Sequence, residues 1–208
     1  MGIKIIDYKA GNAPSVLNAV LHLGFDAELA HSASDIMDAS HILLPGVGSA
    51  KETMESLREM NILDALSDAV FMKKTPFLGI CVGLQILFDH SDEGDADCLG
   101  WLKGQVVKFD AARVRVPQMG WNKVSFQGNA DISTHDEFFY FVNSYYAKPE
   151  AESDIWGVAD YGNTFTAAVR KDNIMGVQFH IEKSGAAGLS LLRNILLTTT
   201  ANPPSVSF

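Results

Sequence analysis

Three short stretches of this 208-residue sequence carry side chains able to do chemistry together. The first is Gly79-Ile80-Cys81-Val82-Gly83, which follows Pro76-Phe77-Leu78 and precedes Leu84-Gln85. The spacing predicts a buried strand over 76–80, a glycine-flanked cysteine, then a helix from Val82 to about His90. That is the layout of a nucleophile elbow, with cysteine where G-x-S-x-G places serine. Glycines two positions either side permit a strained turn and a close approach of strand to helix. A helix N-terminus at that point also favours negative charge on a nucleophile. Taken alone, the pentapeptide fits a buried structural cysteine equally well. Cys98 lacks such a setting and reads as structural.

A cysteine that cleaves an amide needs a base, and the base needs something to orient it. Of six histidines, His180 follows the apolar run Gly176-Val177-Gln178-Phe179 and stands two residues before Glu182. In an extended segment, residues i and i+2 point to one side, so Glu182 is placed to hold the His180 imidazole. A third requirement is a set of backbone N–H groups where charge develops on oxygen. Pro45-Gly46-Val47-Gly48 follows the buried run His41–Leu44 and puts amides at the same sheet edge. As a glycine turn it is also compatible with an ordinary strand-to-helix connection.

The elements that must position these residues alternate. Ile3–Tyr8, Ala27–Ala30, His41–Leu44 and 76–80 read as strands. Between them Ser15–Leu23 has helical spacing ending at Gly24, and Ser49 caps a helix through Met54 and Leu57. Shorter strands are expected after Asp92, over Trp101–Phe109, Lys123–Phe126, Phe138–Ala147 and Ile155–Asp160. Phe165–Arg170 and Ile174–Phe179 flank the turn Lys171-Asp172-Asn173. Ser184 opens a last helix. The order implies an α/β fold, flavodoxin-like, with a mostly parallel sheet and helices on both faces. One domain is expected over residues 1–197, with a loose Thr-, Ser- and Pro-rich tail over 198–208.

Composition narrows the function. A net charge of −9 argues against nucleic-acid or anionic-membrane binding, and 47% hydrophobic content is that of a soluble globular protein. No apolar run is long enough for a membrane span or a signal peptide. The two cysteines have no zinc-like spacing; a cytoplasmic protein with free thiols, no metal and no cofactor is expected.

Together the three blocks resemble the class I, triad-type glutamine amidotransferases, in order and over nearly the whole chain from Ile6 to about Leu197. The third block is Gly176-Val177-Gln178-Phe179-His180-Ile181-Glu182-Lys183-Ser184. The resemblance implies Cys81 as nucleophile, His180 as base and Glu182 as its orienter, with L-glutamine as substrate. It implies oxyanion donors at Val47, Gly48 and Val82, and glutamine contacts at Gly48, Gln85, Ser144 and Tyr145. Narrower likeness comes from Pro117-Gln118-Met119-Gly120-Trp121-Asn122, Tyr140–Tyr146, Phe165–Val169, Ile6-Asp7-Tyr8 and Gly11-Asn12. It points to the glutaminase subunits that pair with a separate (β/α)8 cyclase, in a heterodimer, for histidine biosynthesis. Gly11, Asn12 and Trp121 are then expected at that interface. A barrel of this kind needs about 250 residues, so it must be another polypeptide. Paralogues that feed ammonia to surface-sugar biosynthesis are the alternative. Three positions depart from the family pattern: Ile181 where proline follows the histidine, Asn143 where histidine precedes Ser144-Tyr145, and Lys9-Ala10 near the first turn.

Overall fold

The computed structural model describes residues 2–9, 12–127, 132 and 135–198. The expected tail beyond Thr198, and Gly11 in the first turn, lie outside the described residues. The first half runs β1 (Ile3–Ile6), α1 (Ala13–His22), β2 (Ala27–Ala30), α2 (Ala33–Ile36), β3 (His41–Gly46), α3 (Ala50–Glu59) and α4 (Leu63–Ser67). A π-helical turn (Asp68–Met72) follows, then β4 (Phe77–Cys81) and α5 (Val82–Gln85). The second half runs β5 (His90–Ser91), β6 (Ala96–Asp97), β7 (Gly104–Lys108), β8 (Gln118–Phe126), β9 (Glu137–Asn143), β10 (Tyr145–Pro149), β11 (Ile155–Asp160), β12 (Thr164–Lys171), β13 (Ile174–Val177) and α6 (Gly185–Thr198).

Strands β2-β1-β3-β4-β13 lie side by side, all parallel. This is the flavodoxin-like order 2-1-3-4-5, with the fifth strand supplied late in the chain. The central strands β3 and β4 are buried at every residue, as strands covered on both faces must be. From β13 the sheet continues through antiparallel partners β12, β10 and β7, and a side branch carries β11, β8 and β9. The flavodoxin-type half therefore holds an antiparallel half against its last strand.

Local chemistry accounts for the element ends. Ser49 and Glu52 form a full capping box at the start of α3, and Gly24 at φ +83° follows the last turn of α1. Two expectations need correction. The helix after Cys81 stops at Gln85 instead of reaching His90. Ile86, Leu87 and Phe88 are fully buried, and their carbonyls accept hydrogen bonds from Leu99, Leu102 and Gly100, so another segment takes over their hydrogen bonding. The run expected as one strand over 138–147 is two strands, broken at Ser144, whose carbonyl accepts from Phe109 N–H.

Candidate active site

Strands β3, β4 and β13 all end at one edge, and the chemistry-bearing residues gather there. Cys81 is the last residue of β4 and sits at φ +57°, ψ −109°, a conformation rarely held by a residue with a side chain. The glycines around it are required by contact. A Cβ on Gly79 would lie 2.3 Å from the Gly83 carbonyl oxygen, and one on Gly83 would lie 2.0 Å from that of Leu44. Strand, elbow and neighbouring strand thus meet backbone to backbone. The short α5 supplies only one turn of aligned peptides behind the elbow, less than the longer helix expected there.

His180 follows β13, the strand beside β4, and is 4% exposed. Its backbone is fixed twice: its N–H donates to the Tyr140 carbonyl at 2.9 Å, and its carbonyl accepts from Ser184 Oγ at 2.7 Å. The imidazole Nδ1 lies 3.0 Å from Glu182 Oε1. Burial works against a charged imidazole, but hydrogen bonding to Cys81 and to Glu182 outweighs it, so His180 is pushed up to about 9. Burial likewise opposes the Glu182 carboxylate; the His180 contact and the Asn12 amide reverse that and hold it below the ordinary glutamate range. Cys81, His180 and Glu182 therefore form one connected row.

A cavity of about 260 Å³ opens beside the sulfur, lined among others by Val47, Gly48, Val82, Gln85, Ser144 and Tyr145. Every residue expected to donate to an oxyanion or contact glutamine is on its wall. Val47 is engaged by a residue that sequence reasoning overlooked: its backbone N–H donates to the buried Tyr8 hydroxyl oxygen. Gln178, also given no role from sequence, donates from Nε2 toward Cys81 Sγ at 3.7 Å and accepts from Gln85 Nε2 at 3.0 Å. Gln85 and Asn143 both donate to the Tyr145 carbonyl, at 3.1 and 3.0 Å. These bonds set both amides with nitrogen toward that carbonyl.

Glu93 is a charged wall residue that sequence reasoning missed. It accepts from Ala50 N–H at the start of α3, and burial holds its carboxyl above the ordinary range. It lies in the acidic stretch 89–97, where nothing in the sequence separates it from its neighbours.

Of the residues expected at an interface, Trp121 stands 57% exposed on β8, with Met119 on the same face, and its ring meets Tyr140 across the ribbon at 5.9 Å. Asn12 does something else: its amide donates to Glu182 Oε1 at 2.7 Å.

Comparison with known proteins agrees with this arrangement. A family model described as "Glutamine amidotransferase class-I" matches residues 4–199. An imidazole glycerol phosphate synthase subunit HisH from Leptospira interrogans is 43% identical over 199 residues, covering 92% of this chain and 98% of that protein. An imidazole glycerol phosphate synthase hisHF, chloroplastic, from Arabidopsis thaliana is 40% identical, covering 93% of this chain but 34% of that longer protein. Among solved structures, a glutamine amidotransferase superposes with a TM-score of 0.77 at 18% identity, covering 95% of this chain and 99% of the other. The chain belongs to the class-I glutamine amidotransferases.

Proposed function

We propose that this chain is a glutaminase subunit that hydrolyses L-glutamine to glutamate and ammonia, with Cys81 as nucleophile, His180 as acid and base, and Glu182 holding His180. The ammonia passes to a (β/α)8 cyclase subunit that makes imidazole glycerol phosphate and AICAR in histidine biosynthesis. The observation that carries the reading is the row Cys81–His180–Glu182 beside a cavity, with a histidine that keeps its proton at neutral pH.

The sulfur attacks the side-chain amide carbon of glutamine. The C–N bond breaks as His180 gives its proton to the departing nitrogen, leaving a glutamyl thioester. His180 then takes a proton from water, the oxygen attacks the thioester carbon, and the C–S bond breaks to free glutamate. Amides of Gly48 and Val82 stabilise the charged oxygen, joined by Val47 once its peptide is released from Tyr8. That need for release supports low glutaminase activity in the isolated chain, rising when the loaded partner reorients 45–48. Glu93 supplies the one carboxylate among the described residues of the cavity wall, suited to the α-ammonium of glutamine, while Gln85, Ser144 and Tyr145 orient the rest.

The cyclase docks on the β8–β9 ribbon. Met119, Trp121 and Phe138 expose more than half their surface there, an apolar set of the kind that anchors interfaces. The ribbon adjoins the site, since the Val142 carbonyl lies 4.0 Å from Cys81 Sγ. The Arabidopsis relative, in which the matching part is a third of the protein, supports a covalent version of the same pairing. The names of the relatives favour the imidazole product over a surface sugar. No helix of the described residues is long and apolar enough to cross a membrane. The test is a thiol-directed glutamine analogue: it should label Cys81, faster with the loaded cyclase. Absence of labelling in both conditions would overturn the reading.

A further inference from the structure

The turn that carries Asn12 was expected to face a partner, yet the Asn12 side chain reaches inward to the far end of the sequence. Its Nδ2 donates to Glu182 Oε1 at 2.7 Å, and the same oxygen lies 3.0 Å from His180 Nδ1. The Glu182 side chain is 1% exposed, and its other oxygen, Oε2, makes no hydrogen bond to any described residue. A carboxylate this deeply buried depends on the few donors it has. Besides His180, its own backbone N–H is hydrogen-bonded to it, and both lie within two residues in the chain. The Asn12 amide adds a side-chain donor that converges on Oε1 from the opposite chain end.

Asn12 also occupies the cap position of α1, where its side chain would ordinarily accept a hydrogen bond from a first-turn N–H. It makes no such bond. The amide has been diverted from capping to the carboxylate. This distinguishes asparagine from aspartate, which caps helices equally well but has no N–H to offer. We infer that Asn12 is a positioning residue of the hydrolytic site, a fourth member of the row Cys81–His180–Glu182 that holds the Glu182 carboxylate in register with the imidazole. This rests on the glutaminase reading above. Asn12 is absent from the cavity wall, so its effect on substrate is indirect.

The cap position provides a test in which a structural role and a positioning role give opposite results. Glutamate release from L-glutamine is measured for the full chain mixed with its cyclase subunit, as wild type, Asn12→Ser and Asn12→Asp, with the melting temperature of each. Serine and aspartate are both good caps, so all three should melt within a few degrees of one another. Serine is too short to reach Glu182, and kcat should fall about tenfold, the loss of one hydrogen bond to a charged group. Aspartate sets a carboxylate against Glu182, and kcat should fall about a hundredfold or more. KM should change less than about twofold in both, since the contact bears on the transition state and not on glutamine binding. An aspartate variant as active as wild type, or a loss confined to KM, overturns the proposal for Asn12 alone. A wild type that neither releases glutamate nor is labelled at Cys81 overturns the glutaminase reading and this proposal with it.

Discussion

His180 and His41 are equally buried, each 4% exposed, and lie at opposite ends of the same parallel sheet. His41 opens β3; His180 follows the end of β13. Burial disfavours the charged imidazole at both places, yet His41 is pushed down to about 4 and His180 up to about 9. The partners make the difference. His41 has the Ser40 hydroxyl and the backbone of Leu196, neutral groups that recover little of the lost hydration. His180 has Cys81 on one side and the Glu182 carboxylate, itself tied to Asn12, on the other. One end of the sheet uses a histidine to pack; the other surrounds it with groups that keep it charged.

Removing those groups should make the second histidine behave like the first. Cys81→Ala removes both the nucleophile and the larger of the two interactions that raise His180. Glutamate release should fall by about 10⁶-fold, and the His180 titration, followed by NMR, should drop well below 9. Full activity in this variant would end the mechanism. Glu182→Gln comes next. It keeps shape but turns the carboxylate into an amide that cannot stabilise an imidazolium, and kcat should fall by about 10³- to 10⁴-fold. His180 should again titrate lower. An unchanged titration would mean that Cys81 alone holds the proton.

The two ends were not equally legible in the sequence. The elbow announced itself because a buried strand, a cysteine and two glycines lie within five residues, and the close contacts at Gly79 and Gly83 show why no other residue would fit. The His180–Glu182 pair was readable for the same reason, although only His180 is extended and Glu182 lies in the short 3-10 turn that follows it (Ile181–Lys183) instead of a continuing strand. The parallel half followed from its apolar runs. Glu93, Tyr8, Gln178 and the Asn12–Glu182 bond were not legible as site features, since each depends on which distant segment the fold brings alongside. Helix length after Cys81 was misread because Ile86–Phe88 are apolar on every side. Such a run carries no period to say where a helix stops.

The comparison also predicts how stability depends on pH, with opposite signs at the two ends. His41 binds its proton less readily folded, at about 4, than unfolded, at the ordinary 6.5. Its contribution is complete above 6.5 and is lost as pH falls toward 4. His180 binds its proton more readily folded, so its contribution is present below 6.5 and is lost as pH rises toward 9. Urea unfolding across this range should show both slopes. His41→Gln should remove the part of the acid-side slope that begins just below 6.5, at most about 1.4 kcal/mol per pH unit, and leave the part in the carboxylate range, to which Glu182 contributes. A slope just below 6.5 undiminished by the substitution would show that His41 is not the group responsible.

The smallest effect is expected at Ile181, where the family resemblance implies a proline. His180 is extended, at φ −78° and ψ 93°, and Ile181 is the first residue of the 3-10 turn, a position that suits proline. Ile181→Pro would restrict the unfolded chain and stabilise by about 0.4–1 kcal/mol. Against this, Ile181 is fully buried, and losing one methylene of packed surface costs about 0.8 kcal/mol. The two nearly cancel, so the melting temperature should move by only about 2–3 °C for a domain of this size. Activity should stay within about threefold, because the hydrogen bonds to Tyr140 and Ser184 already fix the His180 backbone. A tenfold rise in kcat would instead show that hydrogen bonds alone leave His180 too loose, and that the catalytic end still lacks a restraint that proline supplies.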